Sequence, residues 1–477
     1  MPLDKIHHAG QRYRGAARRA SEFLGEPSWT WPPQRGLPVA EEQSFGSGQE
    51  RMSVSSLESL RQLLQQSHHA RPDDLPEMAM RAAPLLDARA LVIYLVDHQQ
   101  RLLLPLLGGS APAREPMDID GTLAGRAFST ATTCVGTGDE DGVRVWVPVL
   151  DGSERMGVLE ITADDPLSAD SMDDCAAVAS LLAELVVTRS SYSDTIERIR
   201  RRKPMQLAAE MLRAQLPPLT FSTGHLMISG ILEPCYDVGG DAFDYAVNGD
   251  TAHLALFDAA GHGSSGGMRA VVLASIALAA YRNARRSGLD LIGTYHHIDV
   301  AVRDHDRYGM ITAVLAELDQ RTGVLQVISA GHPSGMVLRD GKVAKILPTP
   351  TALPVTLGDR RPPVVVEEAL EPGDQVLLYT DGIIEARTPE GETFGVERLI
   401  EFASRALADH LPLPETARRL VHAILEHQDD RLQDDATVLL AEWRSPAPAD
   451  SDLETVTSPT HQPLEPQSFR RGRKARP

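Results

Sequence analysis

The sequence predicts an α+β protein built from two successive folded units, and three observations carry that prediction. Turn residues flanked by apolar, strand-like runs recur at Asn248-Gly249, Asp340-Gly341 and Asp151-Gly152-Ser153. Apolar residues take helical spacing at Val178, Leu181, Leu182, Leu185 and Val186. Aspartates stand at the ends of apolar strands, as Asp241, Asp258, Asp381 and the pair Asp434-Asp435, a placement too regular for solvated turns alone.

With 477 residues the chain can hold two or three domains with sizeable cores. A net charge of −19 and 5% aromatic residues argue against a general nucleic-acid binder. Cys134, Cys175 and Cys235 are too far apart for a disulfide framework or a zinc spacing, so reduced thiols are expected. There is no apolar run of the roughly eighteen residues that span a bilayer, and no signal-peptide core. These features predict a soluble, cytoplasmic protein without a membrane partner.

The stretch from Asp237 to Gly263 organises the rest. Asn248-Gly249 can supply the two positive-φ positions of a tight hairpin, and Phe243–Val247 and His253–Phe257 have strand composition. With Val247 opposite Asp250, pairing outward sets Asp241 against Leu256 and Gly239 against Asp258. Asp241 and Asp258 are then diagonal neighbours on one face, roughly 7–8 Å apart at the backbone. Gly239 places no side chain between them. Two carboxylates over bare backbone suit a hard divalent cation such as magnesium or manganese. Asp beside Gly is also ordinary turn chemistry.

Further motifs separate those readings. Asp237-Val238-Gly239-Gly240-Asp241, Asp258-Ala259-Ala260-Gly261-His262-Gly263, Ser329-Ala330-Gly331-His332-Pro333, Tyr379-Thr380-Asp381-Gly382 and Asp434-Asp435-Ala436-Thr437 occur in that order. In these pieces the chain from about 204 to 443 resembles the SpoIIE-type members of the PPM family, the protein phosphatase 2C-like, metal-dependent serine/threonine phosphatases. The resemblance implies an α-β-β-α sandwich with two Mn2+ or Mg2+ ions at one edge. It implies that Asp258 bridges the ions, that the Ala259 carbonyl binds one, and that Asp381 and Asp434 complete the other. Asp241 is expected to act on a metal directly or through water. Asp435 is the alternative to Asp434, and spacing does not decide between them. His262 is a candidate acid for the leaving alkoxide, with a turn-orienting loop histidine as the competing role. His332 is expected to be a structural hydrogen-bonder. The first motif reads Gly-Gly-Asp-Ala-Phe-Asp where many relatives have Gly-Gly-Asp-Phe-Tyr-Asp, and no phosphate-clamping arginine is evident near Asp241.

In order, 1–52 reads as a poorly ordered arm carrying Arg12, Arg14, Arg18 and Arg19. Residues 53–190 resemble a GAF sensor domain, an α/β/α sheet, through the order of Asp120-Gly121-Thr122-Leu123-Ala124-Gly125-Arg126-Ala127-Phe128, a Val-Pro-Val strand and a Gly-Val-Leu strand, with a PAS domain as the alternative. A helix near 55–68 and strands at 90–96, 102–107, 143–149 and 156–162 are predicted. Such domains often bind a small ligand, whose identity is not legible here. Residues 191–219 read as a helical linker that continues the sensor's last helix, restarts at Pro204 and ends at Pro217-Pro218. Its stripe of Leu207, Met211, Leu212 and Leu216 suggests a homodimer seam. Residues 220–444 are the expected phosphatase domain, and 445–477 a disordered tail.

The expected function is a sensor-regulated, metal-dependent protein serine/threonine phosphatase. The resemblance implies a phosphorylated STAS-domain anti-anti-sigma protein as substrate in a partner-switching pathway. The alternative is a non-catalytic adaptor binding such partners without turnover. A small-molecule phosphohydrolase fits the sensor and long linker less well.

Overall fold

In the computed structural model, residues 64–137, 142–237, 239–261, 263–350, 352–357, 363–429 and 432–444 are described. The arm at 1–52, the tail at 445–477, residues 55–63 of the first expected helix, and His262 lie outside them.

The N-terminal half contains helix α1 (Leu75–Ala82) and forms a six-stranded sheet. Its strands are β1 (Ala90–Val96), β2 (Leu102–Pro105), β3 (Met117–Asp118), β4 (Cys134–Thr137), β5 (Val143–Asp151) and β6 (Glu154–Ala163). They pair antiparallel in the order β3-β2-β1-β6-β5-β4. On one face, α1 and α3 (Ala169–Ser190) bury Leu75, Met78, Val178, Leu182 and Val186 against Leu91, Ile93, Leu95 and Ile161. On the other, α2 (Leu123–Thr130) brings Ala127 and Phe128 onto Val92, Tyr94, Trp146 and Val158. Alternation along β1 thus supplies two cores, as a strand buried on both faces must. The Thr122 hydroxyl accepts from the Gly125 N–H at 2.9 Å and caps α2. Tyr94, Phe128 and Trp146 pack together under α2.

The linker differs from the expectation of a continued helix. α3 stops at Ser190, and two short helices follow, α4 (Thr195–Arg200) and α5 (Leu207–Arg213). The apolar stripe serves the chain's own core instead of a dimer seam. Leu212 is buried, Met211 and Leu216 pack against the same cluster, and only Leu207 stays exposed.

The C-terminal half is a four-layer sandwich. β9 (Asp241–Asn248), β10 (Thr251–Ala259), β11 (Ile311–Asp319), β12 (Val324–Ala330) and β15 (Val366–Ala369) form a sheet ordered β15-β12-β11-β10-β9. β7 (Thr220–Ser222), β8 (Leu226–Glu233), β13 (Met336–Arg339), β14 (Lys342–Ile346), β16 (Gln375–Tyr379) and β17 (Ala436–Trp443) form the second, ordered β14-β13-β16-β17-β8-β7. One continuous core joins both sheets with helices α6 (Gly263–Arg286) and α7 (Leu291–His305). A second core lies between the outer face of the six-stranded sheet and helices α9 (Gly395–Ala408) and α10 (Leu413–His427). In β17 the alternation is explicit: Leu439 and Ala441 enter the first core, Val438 and Leu440 the second. A four-residue helix, α8 (Asp381–Ile384), follows β16.

The two halves belong to one compact unit and meet through polar groups. The Thr220 N–H donates to Glu154 at 2.6 Å, and Arg213 reaches His98 Nδ1 at 2.7 Å. Glu233, near this junction and 1% exposed, accepts the Cys235 N–H at 2.9 Å, and burial pushes its carboxyl from the ordinary 4.5 up to about 7. The folded state therefore holds this proton more tightly than the unfolded chain. The associated stability is complete below about pH 4.5 and is lost as pH rises through about 7. Glu233→Gln should remove that loss, on the order of 3 kcal/mol. Urea unfolding at about pH 5 and about pH 8 checks it: the variant should gain on the wild type at the higher pH only.

Candidate metal centre

The hairpin β9–β10 sets the site, and its register differs from expectation by two residues. Asn248 pairs with Thr251, so Gly249 and Asp250 form the loop. Of these two only Gly249 has positive φ, at 59°, which is the demand of a turn with glycine first rather than of Asn-Gly. Asp241 therefore faces Asp258 directly, not diagonally, and Gly239 is not opposite Asp258. A shift of two leaves every side chain on its face. On the next strand Thr312 is opposite Asp258, so Asp241, Asp258 and Thr312 form a row across three strands.

Each carboxylate has a distinct setting. Asp241, buried, has Oδ2 hydrogen-bonded by the hydroxyls of Thr380 at 2.7 Å and Thr437 at 2.6 Å. Burial, then Asp435 and Asp258, hold its carboxyl well above the usual range. Asp258 is pushed up to about 7 by burial and by Asp381, Asp434 and Asp435. Asp381 opens α8 and is also raised, by burial and then by Asp434 and Glu385. Like charges gather here, and among the described residues no ion pair offsets them.

Asp434 and Asp435, adjacent in sequence, do different things. Asp435 is buried and accepts the backbone N–H groups of Gly239 at 2.7 Å, Gly240 at 2.7 Å and Asp241 at 3.0 Å. It locks the loop that delivers Asp241. Asp434 is exposed and lines the acidic cleft with Asp381. Two glycines make the closeness possible. A Cβ on Gly382 would lie 1.9 Å from the Asp435 carbonyl oxygen, and one on Gly240 would lie 2.2 Å from the Ala259 carbonyl oxygen.

Among the described residues, no three His, Cys, Asp or Glu side chains are grouped closely enough to cage an ion unaided. The donors instead string along one sheet edge: carboxylates at 241, 258, 381 and 434 and the carbonyl of Ala259. Magnesium and manganese accept such sets, because they retain several waters and take one or two carboxylates each. Uncompensated charge that raises proton affinity is charge a divalent cation would neutralise, so the donors fit.

The neighbouring histidine is hydrogen-bonded to the row of site residues. His332 Nδ1 lies 2.7 Å from the Thr312 hydroxyl, which is 3.4 Å from Asp258 Oδ2, and burial lowers the imidazole to about 4. Asp244, from the first motif, points away and pairs with Arg282 at 2.7 Å and Arg285 at 3.0 Å, fastening β9 to α6. Thr380, Thr437 and Thr312 were not read as site residues from sequence. The first two stand inside quoted motifs, but nothing in the spacing shows where their hydroxyls point.

Residues 248–444 match the family model described as stage II sporulation protein E (SpoIIE). The match begins after Asp241 and includes the later four motifs. Protein IcfG of Synechocystis sp. is 22% identical over 285 residues, 53% of this chain and 42% of that protein, so the chain spans about two fifths of its relative. The SiaA-PP2C domain of Pseudomonas aeruginosa is similar at 27% identity, covering 50% of this chain and 94% of that one, with a TM-score of 0.42. The RsbU and RsbW domains of Rv1364c from Mycobacterium tuberculosis give 25% identity, 47% and 63% coverage, and a TM-score of 0.41.

The split between the paired aspartates is testable without a ligand. Asp435→Ala should cost at least about 2 kcal/mol, since three buried N–H groups lose a charged acceptor. Asp434→Ala should leave the metal-free protein as stable or slightly more so, because it relieves repulsion. Thermal melts in EDTA decide this, and equal losses would refute the division.

Proposed function

Residues 248–444 are a SpoIIE-family, PP2C-type phosphatase domain, and from that premise we propose that the chain is a metal-dependent protein phosphatase acting on phosphoserine or phosphothreonine. The observation that carries the proposal is the edge where Asp241, Asp258, Asp381 and Asp434 gather against burial and mutual repulsion. Asp258, the Ala259 carbonyl, Asp381 and Asp434 would hold two Mn2+ or Mg2+ ions. Bound ions would supply a water of lowered pKa and positive charge against the phosphoryl oxygens. Asp241 has one oxygen occupied by Thr380 and Thr437, which leaves the other to orient water or touch an ion. Asp435 serves as the anchor of that loop. The proposed acid, His262, rests on its sequence position. The substrate reading, a phosphorylated STAS-domain regulator, rests on the motif resemblance.

The N-terminal half is proposed to be a GAF-like sensor that acts on the phosphatase half, and a buried ionic seam supports this. Arg418 of α10, 1% exposed, meets Glu415 at 2.8 Å and Asp120 at 2.6 Å. Arg155 of β6 reaches Glu415 at 3.4 Å and the Pro414 carbonyl at 3.0 Å, and lies 4.6 Å over the Phe128 ring. These arginines hold the Glu415 carboxyl down at about 2 against its burial. His422 also meets the Gln99 carbonyl at 2.8 Å. The helix so gripped packs on β17, directly behind the paired aspartates.

Two experiments follow. Mn2+ should restore phosphoserine-peptide hydrolysis after EDTA in the wild type. Asp258→Ala and Asp381→Ala should each lose at least about a hundredfold in kcat/KM. A folded wild type with no turnover, still capturing phosphorylated STAS protein, would leave the adaptor. For the seam, Arg155→Met should raise amide exchange in both α2 and α10. Asp120→Ala should do less, because Asp120 is largely exposed and its ion pair is screened. Exchange rising on one side alone would refute the coupling.

A further inference from the structure

The acidic edge creates an electrostatic difficulty for the substrate proposed above. A phosphoserine carries close to two negative charges at neutral pH, and the cleft beside the carboxylates is lined by Asp381, Asp434 and Glu385. Metal ions offset part of this. A second source of positive charge stands in the same cleft, of about 150 Å³, where Arg387 is the basic residue among those lining it.

The setting of Arg387 is unusual for an arginine near three carboxylates. It is exposed and forms no ion pair with another described residue. Its backbone, by contrast, is firmly placed. Arg387 bridges to Thr393, the Phe394 N–H donates to the Ala386 carbonyl at 2.7 Å, and the Thr388 N–H donates to the Glu392 carbonyl at 2.9 Å. Gln433 Nε2 donates to the Arg387 carbonyl at 3.3 Å. Gln433 directly precedes Asp434, so this bond ties the arginine's hairpin to the segment that presents the carboxylate. The main chain is anchored on the site while the guanidinium is not engaged by it.

We propose that Arg387 is a substrate-binding residue whose guanidinium donates to the non-bridging phosphoryl oxygens of a phosphoserine or phosphothreonine seated over Asp381 and Asp434. A planar fork of N–H donors matches phosphate in two bonds and stays charged at every working pH. Lysine would keep the charge and lose the fork. Arg387 lines the cleft on the Asp381 side of the edge. The inference rests on the phosphatase reading and adds to it the group that recognises the phosphate.

The test uses the full-length protein with Mn2+ and the variants Arg387→Ala, Arg387→Lys and Arg387→Glu. KM and kcat are measured for p-nitrophenyl phosphate and for a phosphoserine peptide. Binding of inorganic phosphate and of Mn2+ is measured by calorimetry. In Arg387→Ala, KM for both substrates and Kd for phosphate should rise about tenfold, as loss of a charge-assisted pair predicts. Arg387→Glu should be worse and Arg387→Lys intermediate, with Mn2+ affinity and Tm unchanged. Unchanged phosphate binding overturns the proposal. So does a KM rise confined to the peptide, which would place Arg387 on the polypeptide, or a loss of Mn2+ affinity, which would place it on the metal ligands. Absence of Mn2+-dependent turnover in the wild type sinks the phosphatase reading itself, a result separable from an active wild type with indifferent variants.

Discussion

Mutual repulsion among carboxylates at one sheet edge is the constraint on which the rest of this structure depends. Asp241 and Asp258 are cross-strand partners, and Asp381, Asp434 and Asp435 close on them from the second sheet. Among the described residues no ion pair balances them. The fold holds them with neutral donors instead: hydroxyls of Thr380 and Thr437 on Asp241, and three backbone N–H groups on Asp435. Such donors fix direction without cancelling charge, so the edge stays hungry for cations. The opposing term is the sandwich itself, whose two cores grip both sheets and keep the edge from splaying. Stability is given up at the site and recovered in the layers behind it.

Much of this was legible in the sequence because it is periodic. β1 follows from its apolar strand composition and β13 and β14 from the turn between them, where Asp340-Gly341 takes the paired positive φ values of 49° and 72° that its composition predicts. The β9–β10 register was not, for a specific reason. Asn248-Gly249 offers two left-handed positions, but the ladder pairs Asn248 with Thr251, so the two-residue loop moves one position along and Gly249 becomes its first, left-handed residue. The error was harmless to the site because a two-residue slip conserves the face. The linker failed differently: an apolar stripe shows that a helix is buried on one side, not on what, and here the chain's own core takes it.

The identical pair Asp434-Asp435 marks the limit of reading residues without geometry. Neighbouring side chains before a strand point apart, so one turns to solvent and the cleft and the other to the Gly239-Gly240 loop. That loop needs an acceptor. Its glycines permit close approach to Ala259, but they bring consecutive buried N–H groups that must be paired. Asp435 meets this need, and the glycine motif and the second aspartate are thus one device divided between distant parts of the chain.

The same logic places the junction between the halves. Arg155, Glu415 and Arg418 are almost wholly buried, and a buried ionic group adds orientation more dependably than stability. An apolar contact would let α10 slide. Charge pairs with defined partners allow few positions, and leaving one of them unpaired is strongly penalised. Because α10 packs on β17, and β17 follows Asp435, a helix with few allowed positions gives a carboxylate edge with few allowed geometries. A site built from mutually repelling groups requires that restriction, since otherwise the carboxylates would relax apart.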